Sequence, residues 1–150
     1  MTSRPHDDAA RRLDALLDGT KSPGVFRAPT SLDASALTAQ VTSRGGTGWL
    51  VDGPARTKDE LMEAFANGCS LPAWFGRNYD ALADCLGDLD VGRSGAVLVW
   101  TTAAQYHAAA PSQWPAMRSI LEHAVRVHVD AGLRFAVVCV GGSLPGIDPL

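Results

Sequence analysis

The sequence lacks the cysteine pattern of a disulfide-rich or zinc-binding protein. Its three cysteines, Cys69, Cys85 and Cys139, are an odd number and contain no Cys-x-x-Cys pair, whereas disulfide frameworks and structural zinc sites need paired or closely spaced cysteines. The histidines are scattered, and His123 and His128 do not share a helix face. We therefore expect reduced thiols, no bound metal and no other cofactor.

The sequence also lacks long apolar runs and an excess of basic charge. No segment reaches the roughly 20 apolar residues that a transmembrane helix needs, and residues 1–19 contain no apolar core of a signal peptide. The net charge of −3 gives no positive field that would attract nucleic acid. We expect a cytoplasmic protein that binds neither membranes nor nucleic acid directly and is monomeric without its partner.

What the sequence does contain is an alternation of strand and helix patterns. A chain of 150 residues with 46% hydrophobic content fits one cored domain. Compact apolar runs at 47–53, 95–100 and 134–140 are typical of buried strands, and helical patterns separate them. Strands that are apolar on both faces and joined by helices form parallel sheets. We predict an α/β fold with a three-stranded parallel sheet packed with helices.

The helices are predicted from their caps and their apolar spacing. Thr57 stands three residues before Glu60, which is the capping-box spacing, and the helix it begins ends at Gly68. Thr102 has the same relation to Gln105 and predicts a short helix ending by Pro111. A longer helix is predicted over 115–131.

The first third of the chain is less patterned. We assign residues 1–22 to a mobile N-terminal segment and residues 23–150 to a single domain with its core at 48–141. Within an N-terminal extension of that core, 24–29 could add a short edge strand and 31–46 a helix.

The stretch LPAWFGRNYDALADCLGDLD, residues 71–90, concentrates the negative charge. Residues 71–92 contain four aspartates and one arginine, a net charge of −3 that equals that of the whole chain. With Asn78 as the N-cap, a helix places Asp80, Asp84 and Asp88 within an arc of about 80°. The apolar residues occupy the opposite side of that helix: Leu82, Cys85, Leu86 and Leu89.

The acidic stripe does not stabilise its own helix, because like charges at i and i+4 oppose helix formation by roughly 0.2–0.5 kcal/mol per pair. An ordinary solvated face remains one interpretation. The stripe, however, lacks interspersed basic residues, and the small Ala83 and Gly87 beside it leave room for close approach. This favours a docking surface for a positive partner. A metal-dependent hydrolase that uses Asp80 and Asp84 is an alternative of lower weight.

The same stretch resembles the signature segment of the barstar family, intracellular inhibitors of ribonucleases of the barnase type. The resemblance rests on the run LPAWFGRNYDALADCL, preceded by a strand ending in VDG and a capped helix, and it covers residues 48–141 in order. It implies a barstar-like fold and a non-catalytic protein. The implied partner is a guanyl-preferring ribonuclease of the extracellular type or a related basic toxin.

The resemblance also implies a set of partner-binding residues. Trp74 matches an aromatic residue that packs over the catalytic cleft, Asn78 and Asp80 match polar contacts, and Asp84 matches the aspartate that enters the phosphate-binding pocket. Gly76 would let the loop turn closely against the partner. The complete set predicted to bind the partner is Trp74, Phe75, Gly76, Asn78, Asp80, Ala83, Asp84, Gly87 and Asp88.

Three positions depart from the family pattern. Ala83 stands where barstar has a tryptophan, Arg77 stands where it has an acidic residue, and Val127 stands where it has a glutamate. These changes leave open an immunity or regulatory protein that binds a different basic toxin or partner.

Overall fold

The computed structural model describes residues 5–150, with side chains from Asp8 onward. Residues 1–4 of the N-terminal segment that was predicted to be mobile lie outside this range. The described helices are α1 Pro5–Asp18, α2 Ala34–Ser43, α3 Lys58–Gly68, α4 Tyr79–Gly87, α5 Ala103–Ala109 and α6 Trp114–Asp130. The described strands are β1 Val25–Ala28, β2 Thr47–Val51, β3 Ala96–Trp100, β4 Phe135–Val140 and β5 Asp148–Pro149.

One parallel sheet runs through the domain, in the strand order β2-β3-β4-β1-β5. The three predicted core strands are present as β2, β3 and β4, and the α/β class is confirmed. The predicted number of strands was wrong, because the described part of the sheet has five. The segment predicted as a possible edge strand does form β1, but β1 lies between β4 and β5.

The two faces of the sheet support two separate apolar clusters. Consecutive residues of β3, such as Leu98 and Val99, point to opposite faces. The cluster that includes Leu98 and Trp100 receives the buried residues of helices α3 to α6. The cluster that includes Val99 receives those of α1 and α2. The sheet is therefore covered by helices on both sides, as its continuous apolar strands require.

Helix α1 is an element that the sequence analysis missed. No helix was predicted within residues 1–22, whereas Leu13, Leu16 and Leu17 of α1 are buried against the sheet. The guanidinium of Arg134 donates to the carbonyl oxygen of Leu17 at 2.6 Å, and the amide of Gln40 on α2 donates to that of Ala10 at 2.8 Å. These contacts join α1 to both the sheet and α2.

Two of the helices, α3 and α5, begin after a threonine. Thr57 caps α3 as predicted, since its hydroxyl oxygen accepts from the backbone N–H of Glu60 at 3.1 Å. The short helix predicted after Thr102 is present as α5 and Thr102 is its N-cap, but the side chain of Thr102 makes no capping hydrogen bond. Its hydroxyl instead accepts from the indole of Trp100 and donates to the carbonyl oxygen of Gly53.

Within residues 5–150, no helix combines the length and apolar character needed to cross a bilayer.

Candidate partner-binding site

Helix α4 begins at the predicted cap. The side-chain oxygen of Asn78 accepts from the backbone N–H of Ala81 at 2.8 Å, and Asn78 itself is extended. The helix is short and ends at Gly87, so Asp88 is its C-cap rather than a residue of its last turn. Asp80 lies in the first turn, where the positive end of the helix dipole stabilises a carboxylate.

The apolar side of α4 is fixed to the domain. Leu82 and Leu86 are fully buried, and α4 packs on α6. At the N-terminal end, the hydroxyl of Tyr79 lies 2.7 Å from that of Tyr106 on α5. At the C-terminal end, a Cβ placed on Gly87 would lie 3.7 Å from Val127 of α6. The helix therefore has one anchored side and one side open to solvent.

The open side carries the predicted acidic stripe. Asp80, Asp84 and Asp88 are all exposed, and none of the three takes part in an ion pair within the described part of the chain. Ala83 and Gly87 beside them are partly buried and add little bulk. The structure thus leaves three carboxylates unneutralised on one side of one short helix.

The two adjacent aromatic residues before α4 have opposite environments. Trp74 is 77% exposed, whereas Phe75 is only 7% exposed and belongs to the core cluster beneath α4. The backbone N–H of Phe75 donates to the carbonyl oxygen of Pro72 at 2.9 Å, which closes the loop into a turn. Phe75 was predicted to bind the partner, but its burial makes it an anchor that presents Trp74.

In the turn into α4, Arg77 and not Gly76 adopts the left-handed conformation. Arg77 has a φ of 52°, a left-handed conformation that is uncommon for residues other than glycine. Its guanidinium lies 2.5 Å from the carboxylate of Glu63 on α3. This hydrogen bond holds the pKa of Glu63 below its usual range. The positive charge that departs from the family pattern is therefore paired with α3 and does not lie free beside the acidic stripe.

A pocket of about 390 Å³ opens between the loop before α4 and the end of that helix. Trp74 and Asp88, both predicted site residues, line it together with Trp49 and Asp90. Trp49 is partly buried and packs against the core cluster beneath α4. Asp90 was not among the predicted site residues. Its position in the same acidic stretch, two residues after Asp88, could have indicated that it belongs to this surface.

The thiols near this pocket are poor nucleophiles. Burial raises the pKa of Cys69 to about 12. Burial also raises the pKa of Cys85, and the nearby carboxylates of Asp88 and Asp84 raise it further by a smaller amount. Because the thiolate is the reactive form of cysteine, both side chains act here as small apolar groups. Among residues with described side chains, no three or more His, Cys, Asp or Glu are grouped so that they could hold a metal ion.

Comparison with protein families identifies the segment that contains this site. A family model described as Barstar (barnase inhibitor) matches residues 51–140, which run from the end of β2 to the end of β4 and include α3, α4, α5 and α6. No curated protein was found to match the chain. The family match covers more than half of the 150 residues, and it includes the exposed Trp74, the capped α4 and the acidic stripe. The chain belongs to the barstar family.

Proposed function

We propose that the protein is an intracellular inhibitor of a guanyl-preferring ribonuclease, which it blocks by covering the cationic active site with α4 and the loop before it. The observation that carries the proposal is the combination of Trp74, which is 77% exposed, with the unneutralised carboxylates of Asp80, Asp84 and Asp88. Tryptophan is enriched among the residues that contribute most of the binding energy at protein interfaces, and unpaired carboxylates beside it complement a basic partner. The family match supports a ribonuclease as that partner.

The mechanism follows from the chemistry of the target. A ribonuclease binds RNA phosphates with arginine, lysine and histidine, so a row of carboxylates can occupy the same positions. The carboxylates offer no phosphodiester bond to cleave, so the inhibitor is not turned over and stays bound. One inhibitor molecule then blocks one ribonuclease molecule. Asp84 would enter the phosphate-binding pocket, Asp80 and Asn78 would make polar contacts at its edge, and Trp74 would pack over the cleft.

A different basic toxin is the second candidate partner. Ala83 removes a large aromatic contact that barstar has, and the pairing of Arg77 with Glu63 replaces an acidic position by an internal ion pair. These two changes alter the surface that would distinguish one basic protein from another. No observation within the described residues favours the metal-dependent hydrolase, since no candidate metal cluster is found there.

An inhibition titration tests the proposal. The purified protein is added to ribonucleases secreted by the same organism, and cleavage of a fluorescent RNA is followed. We expect cleavage to fall linearly and to reach zero near one equivalent. The variant Asp130→Asn, which removes one exposed charge from the end of α6, is the matched control and should inhibit like the wild type. If no secreted ribonuclease is inhibited, the ribonuclease assignment is wrong.

The same titration separates binding from catalysis. The protein is also incubated with RNA alone, with and without Mg²⁺. We expect no cleavage in either case. Electrostatic steering should make association with the ribonuclease faster at low salt, and an association rate that does not change with salt would contradict the charge-based mechanism.

A further inference from the structure

We propose that the pocket beside Trp74 is a socket for an arginine side chain of the partner protein. This inference rests on the proposed function, because it places the partner on the face formed by α4 and its preceding loop. It adds a defined contact to that face, and two of the residues it uses, Trp49 and Asp90, lie outside the predicted site. The pocket of about 390 Å³ is within the size range of roughly 300–1,000 Å³ that is usual for ligand sites.

Two tryptophans, Trp49 and Trp74, and several apolar side chains line the pocket. Trp49 is held in place by an edge-on contact with Phe135, with ring centroids 6.2 Å apart. Trp74 makes no ring contact within the described residues. The buried Cys69 and Cys85 also line the pocket, and both are uncharged near neutral pH because the pKa of each thiol is raised. An aliphatic stem that packs against these two thiols would meet no thiolate charge.

The charges on the lining have a single sign. Asp88 and Asp90 line the pocket, and no basic residue does so. Both aspartates are exposed, and neither takes part in an ion pair within the described part of the chain. The backbone holds both in place: the N–H of Asp88 caps α4, and the N–H of Val91 donates to the carbonyl oxygen of Leu89 at 3.0 Å. A cation is the complement of such a lining.

Arginine fits this lining better than lysine or an aromatic side chain. The guanidinium is planar and weakly hydrated, so it can stack on the exposed indole of Trp74 while its N–H groups reach the carboxylates of Asp88 and Asp90. A lysine ammonium is a strongly hydrated point charge and stacks less well. A phenylalanine side chain would cover the two carboxylates without offering them hydrogen-bond donors, and tyrosine or tryptophan would offer one donor and no positive charge.

The test uses the full chain and a small probe, without any ribonuclease. The ¹⁵N-labelled protein is titrated with Nα-acetyl-arginine amide and, as a matched neutral probe, with Nα-acetyl-citrulline amide, and the indole N–H signals are followed by NMR. We expect saturable shifts of the Trp49 and Trp74 signals with the arginine probe. Affinity for the citrulline probe should be at least tenfold lower.

Two variants report on the socket itself. The double variant Asp88→Asn/Asp90→Asn should lower the affinity for the arginine probe at least fivefold, and Trp74→Ala should lower it at least threefold. The double variant Asp59→Asn/Asp130→Asn removes the same number of exposed charges elsewhere and should bind like the wild type. The amide spectrum of each variant checks that the fold is retained.

Several results would overturn the socket. Equal affinity for the arginine and citrulline probes would show that charge is not recognised. Unchanged arginine binding by Asp88→Asn/Asp90→Asn would place the cation elsewhere. Failure of ribonuclease inhibition together with selective arginine binding would refute the proposed function and leave the socket standing, whereas inhibition without arginine binding would do the reverse.

Discussion

The imidazole Nε2 of His128 on α6 lies 2.9 Å from the backbone carbonyl oxygen of Leu86 on α4. A carbonyl oxygen can only accept, so Nε2 carries the hydrogen and donates it. The ring is buried and packs edge-on against Phe135 at 4.9 Å. The carbonyl groups of the last helical turn lack hydrogen-bond partners within the helix. His128 supplies a donor to one of these groups, the carbonyl of Leu86. This contact fixes the C-terminal end of α4 to the core.

Two variants at His128 should separate the hydrogen bond from the packing. His128→Phe retains a ring against Phe135 and should lower the free energy of unfolding by about 1 kcal/mol, the value of one hydrogen bond. His128→Ala also leaves a cavity and should lower it by about 3 kcal/mol. Urea denaturation measures both. Equal losses in the two variants would mean that ring packing contributes nothing.

Asp84→Ala should weaken the complex with the ribonuclease by roughly 2 kcal/mol or more, because a charge that enters a desolvated phosphate pocket is a typical hot spot. The barstar–barnase complex is itself an example of such a hot spot, and the expected loss of affinity follows that family example. Asp84 is exposed, so the free energy of unfolding should change by no more than about 0.5 kcal/mol. Asp88→Ala should weaken binding less. Calorimetric titration measures the affinities, and a loss below a few tenths of a kcal/mol for Asp84→Ala would remove this residue from the interface.

The adjacent residues Trp74 and Phe75 should respond in opposite ways to truncation. Trp74→Ala should leave the free energy of unfolding within about 0.5 kcal/mol of the wild type, since the indole is 77% exposed. Its affinity for the ribonuclease should fall by more than about 1 kcal/mol. Phe75→Ala should lower the free energy of unfolding by about 3–5 kcal/mol, because the ring is part of the core. Each variant is the control for the other, and similar stabilities would contradict the assignment of Phe75 as an anchor.

The buried thiols should be slow to alkylate in the folded protein. The pKa of Cys69 is raised to about 12 and that of Cys85 is raised as well, so at pH 8 the thiolate fraction of each is smaller than in the unfolded chain. We expect iodoacetamide to modify them at least tenfold more slowly in the native state than in urea. Mass spectrometry of timed samples measures the rates. Equal rates in the two states would show that burial does not protect these thiols.

Local sequence patterns were sufficient for the elements that determine their own structure. The caps at Thr57 and Asn78 are formed by side chains within three residues of their partners, so the starts of α3 and α4 could be predicted. The continuous apolar runs of β3 and β4 likewise indicate strands covered on both sides. The acidic stripe could be predicted as well, because helical geometry alone places its residues on one side.

Other features depend on tertiary contacts that no local pattern contains. Strand β5 has two residues and exists through its pairing with β1. Phe75 and Trp74 are neighbours of similar chemistry, and only the packing under α4 distinguishes them. Thr102 has an adequate capping sequence, yet Trp100 and Gly53 use its hydroxyl. Helix α1 is the exception, because a local pattern was present: Ala9, Leu13, Leu16 and Leu17 have helical spacing, although no helix was predicted there.

The separation of α4 into an anchored side and an open side has a consequence for evolution and for engineering. The residues that hold the helix, such as Leu82 and Leu86, are not the residues that would meet a partner. Selection at positions 80, 83, 84 and 88 can therefore change specificity while the folding of the domain is preserved. A library randomised at these four positions would be a compact starting point for binders to other cationic proteins.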